Sequence, residues 1–321
     1  MKVIIVVPTN REKTIREFLK SWETEFASAH IFVVEDNATR SFDLGDCSNV
    51  THFAWEHIDH DLGRESWIIP RGSDCIRSYG YFKAYSECPD LIITMDDDCY
   101  PTPDQTHFIE RHWKRIQMGG EREAWCATGT GTISRGVPYF SRTRNWPCVI
   151  NHGLWIDTPD YDSPTQLLQN RNSFEFIPIN QTIPVGMYFP MCGMNLAFLP
   201  QVVPAMYFLL MGENWKYHRF GDIWAGIMIK KICDHLGYVI NSGEPWVSHR
   251  RASNIWDNLS KETPGLRVNE EVWCAVDRII LHGDTFAECY AEIARELTLS
   301  CWYWTELKKA MSIWAGLFAK T

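Results

Sequence analysis

Leu91-Ile92-Ile93-Thr94-Met95-Asp96-Asp97-Asp98 is the stretch that decides the fold. Its apolar half reads as a buried strand, and the strand stops on consecutive carboxylates. The same arrangement recurs upstream. Val3-Ile4-Ile5-Val6-Val7 is apolar without alternation, as a strand buried on both faces requires, and it ends at Pro8-Thr9-Asn10-Arg11. Ile31 to Val34 is a further strand, ending at Glu35-Asp36. After Pro8-Thr9-Asn10, which supplies a turn and a helix N-cap, Ile15, Phe18, Leu19, Trp22 and Phe26 recur at helical spacing. A polar, irregular stretch then runs to about residue 70, and Ser73 to Ser86 reads as a second helix. Strand–helix–strand alternation predicts an α/β fold with a mostly parallel sheet and flanking helices. In such sheets ligands bind beyond the carboxyl ends of the strands, so the polar strand ends predict a site along one edge.

Further along, residues 125–250 are rich in Gly, Pro, Asn and aromatics while keeping large apolar anchors, which suits long site-forming loops. Ile223 to Leu236 is helical, and Trp302 to Phe318 has the spacing of an amphipathic helical tail. The expected organisation is a catalytic domain over 1–260 with a helical extension over 261–321 packed on it. The chain has 321 residues, 45% hydrophobic and 22% charged, which excludes a disordered chain. A net charge of −9 argues against nucleic acid as a partner. No segment reaches the about 18 apolar residues of a membrane span. Eleven scattered cysteines without a C-x-x-C pair suggest reduced thiols and a cytoplasmic location.

Adjacent carboxylates repel one another and call for a cation. A Mg²⁺ or Mn²⁺ ion answers that need through one or two carboxylates plus substrate phosphate oxygens. Asp-x-Asp at a strand end is also how glycosyltransferases of the GT-A type hold a nucleotide-sugar diphosphate. An acidic surface turn is the plainer reading, and the strand-end position favours the metal, with Asp96 and Asp98 as ligands and Asp97 beside the nucleotide. Pro8, Thr9, Asn10, Arg11, Glu35 and Asp36 stand where GT-A folds bind uracil and ribose. Arg77 in Ile76-Arg77-Ser78 is an ordinary helical arginine on its own and a phosphate ligand in this company. His249 is a candidate third metal ligand, although a lone histidine is more often structural. His57, His60 and Asp61 read as solvated.

The middle of the chain carries a more specific signal. His152-Gly153-Leu154-Trp155, Phe189-Pro190-Met191-Cys192-Gly193-Met194-Asn195-Leu196-Ala197-Phe198, Cys233-Asp234-His235-Leu236-Gly237 and Ala252-Ser253-Asn254 closely resemble the reversibly glycosylated polypeptides, the UDP-arabinopyranose mutases of plants. The resemblance takes in Asp96 to Asp98 and the tail near Met311, so it covers nearly the whole chain.

The resemblance implies a GT-A-like (Rossmann-type) fold, a divalent metal and no flavin. It implies interconversion of UDP-arabinopyranose and UDP-arabinofuranose, with reversible glycosylation of an arginine. The matching position is Arg135, with Arg142 and Arg144 as alternatives. Guanidinium stays protonated and is a poor nucleophile, so Arg135 is expected to steady the departing UDP. Asp160, Asp162 and Asp222 are unranked candidates for moving hydroxyl protons. The plant proteins carry two adjacent carboxylates where this chain has Gly221-Asp222, which leaves the sugar open. A GT-A glycosyltransferase and a non-catalytic partner subunit are the competing readings. The amphipathic tail suits contacts in a homo-oligomer better than membrane insertion.

Overall fold

A computed structural model describes residues 1–45, 47–104, 106–121, 125, 133–142, 145–158, 160–168, 179–250 and 253–319. Strand β1 (Val3–Thr9) is buried along its whole length. It lies between β2 (His30–Glu35) and β4 (Leu91–Met95), parallel to both, and β3 (Val50–Phe53) continues the sheet beyond β2. The other half is built from β5 (Cys99–Tyr100), β8 (Cys148–Asp157), β9 (Gln181–Thr182), β10 (Asn195–Phe198) and β11 (Val239–His249). Among the described residues, nine strands form one mixed sheet in the order β3-β2-β1-β4-β10-β8-β11-β5, with β9 also paired to β11. β3, β2, β1, β4, β8 and β11 share one direction, while β10, β5 and β9 run against them. Short strands β6 (Gly120–Glu121) and β7 (Asn145–Trp146) pair separately.

The uninterrupted apolar run in β1 has a direct cause. Val3, Ile5 and Val7 join the core under α1 (Glu12–Trp22) and α4 (Phe108–Gln117), whereas Ile4 and Val6 join the core on the opposite face. That second core collects α3 (Arg77–Ser86), α6 (Gly221–Leu236), α8 (Phe286–Glu296) and α9 (Trp302–Gly316). Each aliphatic side chain buried this way contributes about 1.5–3 kcal/mol. Gly80 lets α3 lie close on β1, because a Cβ there would come within 2.4 Å of Val6 Cγ1. The result is the α/β, GT-A-like architecture that the sequence implied.

Some local expectations change. The stretch expected to be irregular up to residue 70 contains β3 and α2 (Trp55–Leu62). Only Ile58 and Leu62 of α2 are buried, which is too little periodicity to announce a helix. His57, His60 and Asp61 therefore sit on a helix rather than a loop; His57 Nδ1 accepts from Ala54 N at 3.1 Å, and Asp61 accepts from Lys83 and Tyr79. The N-cap position of α1 is Arg11, whose guanidinium has no acceptor to cap with, and the Thr9 hydroxyl donates to Asp97 while accepting from Arg11 N at 3.1 Å. Within 125–250, β8 and β11 are core strands in disguise. Several of their polar side chains find partners internally, as in Asn151 Nδ2 donating to His112 Nδ1 at 2.8 Å, and Gly243 and Pro245 fall at a register shift in β11.

The expected boundary at residue 260 falls inside α7 (Ile255–Asp277). The apolar face of the tail, including Trp304, Leu307, Met311 and Trp314 of α9, is buried against the chain's own core. Among the described residues no helix is long and apolar enough to cross a membrane, and the described cysteines are free.

Candidate functional site

The carboxyl ends of β1, β2, β4, β8 and β11 open on one cleft of about 510 Å³. Because β10 runs antiparallel, its amino end meets them there and brings Cys192 and Met194 to the lining. Pro8, Thr9, Asn10, Arg11 and Asp36 line one part, and Asp96, Asp97, Asp98 and His249 another. Asp160, Asp162 and Asp222 complete it with Asp74, His218, Arg219, Lys261 and Glu262. Most of the residues singled out from the sequence thus converge.

The three aspartates after β4 have separate environments. Asp96 accepts from Arg77 Nη2, and although burial pushes its carboxyl up, the Arg77 guanidinium outweighs that and holds it below the usual carboxylate range. Asp97 accepts from Thr9 Oγ1 at 2.6 Å and from both Nε and Nη2 of Arg11. Burial nevertheless pushes Asp97 up to about 6. Asp98 Oδ2 accepts from Arg11 Nη2 at 3.2 Å, and its Oδ1 lies 3.9 Å from His249 Nε2.

His249 Nδ1 is 2.9 Å from the Thr158 carbonyl. A carbonyl only accepts, so Nδ1 carries the proton and Nε2 turns its lone pair toward Asp98. That donor pair fits a divalent ion of the Mg²⁺ or Mn²⁺ class, which takes few protein ligands and completes its shell with phosphate oxygens and water. Among the described residues no group of three or more His, Cys, Asp and Glu stands ready to hold a metal ion.

Arg77 is a positioning residue here. It is 1% exposed, and its donors go to Asp74 O, Thr94 Oγ1, Gly193 O and Asp96. It therefore ties α3 and β4 to the turn before β10. Asp36 accepts from Trp55 Nε1 at 2.8 Å, Gly72 N at 3.1 Å and Ser73 N at 2.9 Å, yet burial leaves its carboxyl raised. Glu35 points elsewhere: Ser41, Phe42 and His52 surround it, and it anchors the following loop outside the cleft lining.

The three unranked aspartates now differ. Asp162 caps α5 (Ser163–Leu168), accepting from Thr165 N at 2.9 Å and Thr165 Oγ1 at 2.7 Å. Asp160 borders the buried Cys192 thiol, which burial and then Asp160 push well up. Asp222, in the first turn of α6, accepts from Gly193 N at 3.2 Å and Ile223 N at 2.9 Å. Burial first, then the charges of Asp74 and Asp160, push Asp222 up to about 7.

Arg135 lies in an exposed turn and is not part of the cleft lining. Arg142 donates to Val137 O at 3.2 Å and stacks on Tyr139, and Arg144 lies outside the described residues. Arg219, Lys261 and Glu262 escaped the sequence reading. His218-Arg219 immediately before the α6 helix was the available signal; Lys261 and Glu262 sit mid-helix on α7, far in sequence, and carry none.

Fold and cleft together define a GT-A-like α/β protein with a carboxylate-rich ligand site at the ends of its parallel strands. The chain belongs to the reversibly glycosylated polypeptide family, whose model matches residues 1–321. It is 34% identical to a probable UDP-arabinopyranose mutase 1 of Pisum sativum, over 97% of this chain and 88% of the relative. It is 34% identical to UDP-arabinopyranose mutase 3 of Arabidopsis thaliana, over 91% and 82%. A further Arabidopsis thaliana relative, UDP-arabinopyranose mutase 1, is 32% identical over 97% and 90%.

Proposed function

We propose that this protein interconverts UDP-L-arabinopyranose and UDP-L-arabinofuranose in a divalent-metal-dependent, flavin-independent reaction, with reversible glycosylation of an arginine. The observation that carries the reading is the joining, in one cleft, of the Asp98–His249 donor pair with the raised carboxyl of Asp222. Full-length membership in a family with mutase-named relatives supports it.

In this reading Pro8, Thr9, Asn10 and Asp36 receive the nucleoside, and Asp98 and His249 would hold Mn²⁺ or Mg²⁺. Such an ion supplies charge neutralisation at the diphosphate. Arg77 and Arg11 keep the acidic strand end in register. The bond between C1 and the β-phosphate oxygen breaks through an oxocarbenium-like state. The ring oxygen exchanges between O5 and O4, one hydroxyl losing a proton as the other gains one, and UDP re-forms its bond to C1. Asp222, half protonated near neutral pH, suits both halves of that exchange, with Asp160 beside it.

The test is incubation of purified protein with UDP-arabinofuranose and Mn²⁺, followed by chromatography of the nucleotide sugars. The expected result is the pyranose isomer, lost with chelator and in Asp98→Asn, and reduced on the order of 10²–10⁴-fold in Asp222→Asn. Steady UDP release without isomer would overturn the mutase in favour of a glycosyltransferase. Full activity in Arg135→Ala would remove that arginine from the mechanism.

A further inference from the structure

Among the described residues two arginines, Arg11 and Arg219, line the cleft, with Arg77 buried behind it, and both Arg11 and Arg77 are committed within the protein. Arg77 is buried with donors on Asp74 O, Thr94, Gly193 O and Asp96. Arg11 bridges Asp97 and Asp98. Arg219 is different. Its side chain is 36% exposed, it lines the cleft, and its Nε donates to Glu262 Oε1 at 2.9 Å. Among the described residues neither Nη group has a hydrogen-bond partner.

The partner that aims it is rigid. Glu262 is 6% exposed, and its second oxygen accepts from Ser163 N at 2.7 Å. One carboxylate thus joins α5 and α7 to the segment before α6 and holds the Nε edge of the guanidinium. The backbone of Arg219 is held at φ 62°, the left-handed region that non-glycine residues rarely occupy. A strained backbone, a locked carboxylate and two open Nη groups facing a ligand cleft make a pre-organised fork.

The cleft lining carries more carboxylates than cations, so an anionic ligand needs positive groups free to meet it. A guanidinium fork matches two phosphate oxygens. We propose that Arg219, aimed by Glu262, binds the diphosphate of a nucleoside-diphosphate sugar; this rests on the nucleotide-sugar reading above. Arg219 is the binding residue and Glu262 its positioning residue.

The experiment is calorimetric titration of the full-length protein with UDP and with UMP in the presence of Mn²⁺. Arg219→Gly removes the guanidinium, and relief of the positive φ offsets part of the cost of leaving the buried Glu262 without its partner, so thermal unfolding of the variant is measured alongside. Its UDP affinity is expected to fall by about tenfold to a hundredfold, with UMP binding changed much less. Arg219→Lys keeps the charge without the fork and should recover part of the loss, and Glu262→Gln should lie between wild type and Arg219→Gly. Unchanged UDP affinity in Arg219→Gly would overturn the assignment, and so would an equal loss for UDP and UMP. Absence of UDP binding by the wild type would instead overturn the nucleotide-sugar reading itself.

Discussion

The two sides of the cleft handle charge in opposite ways. Along β1 and β4 the carboxylates are partnered inside the protein by guanidinium groups: Arg77 with Asp96, and Arg11 shared between Asp97 and Asp98. Along the start of α6 they are not. Asp222 is crowded by Asp74 and Asp160; among the described residues its hydrogen bonds come from backbone N–H groups, the Arg77 charge offsets only part of the repulsion, and the Arg219 fork is open. The first side is built to keep its shape without a ligand. The second holds groups whose energies improve when a ligand or a proton arrives, as expected where chemistry takes place.

The largest effect expected from breaking this contrast is on the matched side. Arg77→Met leaves Asp96 without its counter-charge and Gly193 O and Thr94 without their donor. Breaking a buried pair usually costs about 3–5 kcal/mol, and about 3 is expected here because Asp96 keeps some contact with the cleft. Denaturant unfolding measures it; a loss below about 1 kcal/mol would mean that the pair is not a structural anchor.

The unmatched side should respond in the other direction. An unfolded Asp222 would release its proton near pH 3.9, whereas the folded one holds it up to about 7. Between those values the native state binds more protons, so Asp222 makes stability fall as pH rises toward and through 7. Asp222→Asn removes that loss. It is expected to raise the melting temperature by about 2–4 °C at pH 8 and to have little effect near pH 4, while impairing the reaction. Equal shifts at both pH values would show that Asp222 is not the titrating group.

The smallest effect separates neighbours in sequence. Asp162→Ala removes the cap of α5 and should cost about 0.5–1 kcal/mol of stability without affecting the reaction. Loss of activity in this variant but not in Asp160→Asn would exchange the assignments of the two residues.

Much of the half built on β1 and β4 was legible in the sequence. A strand buried on both faces must be apolar throughout, so β1 and β4 are visible as runs, and the polar groups that follow them must lie at the strand ends. Helix α1 shows its inward face as a repeat. By contrast α2 was hidden, since two buried residues in eight make no repeat. β11 was hidden by Gly243 and Pro245, which a register shift accommodates. Arg77 looked like a phosphate ligand because its burial and its four partners are invisible in the chain order.

Taken alone, the sequence determined the α/β class, the edge of the sheet that bears the site and the acidic strand end, because strand burial and strand termination are written in neighbouring residues. The long motif around Phe189 to Phe198 also placed the chain among its relatives. Only the tertiary structure decided which charges cancel and which remain available. Glu262 meets Arg219 across 43 positions, and Arg77 meets Gly193 across 116. Electrostatic and hydrogen-bond partnership depends on distance in space and on desolvation, and neither is encoded in any local pattern.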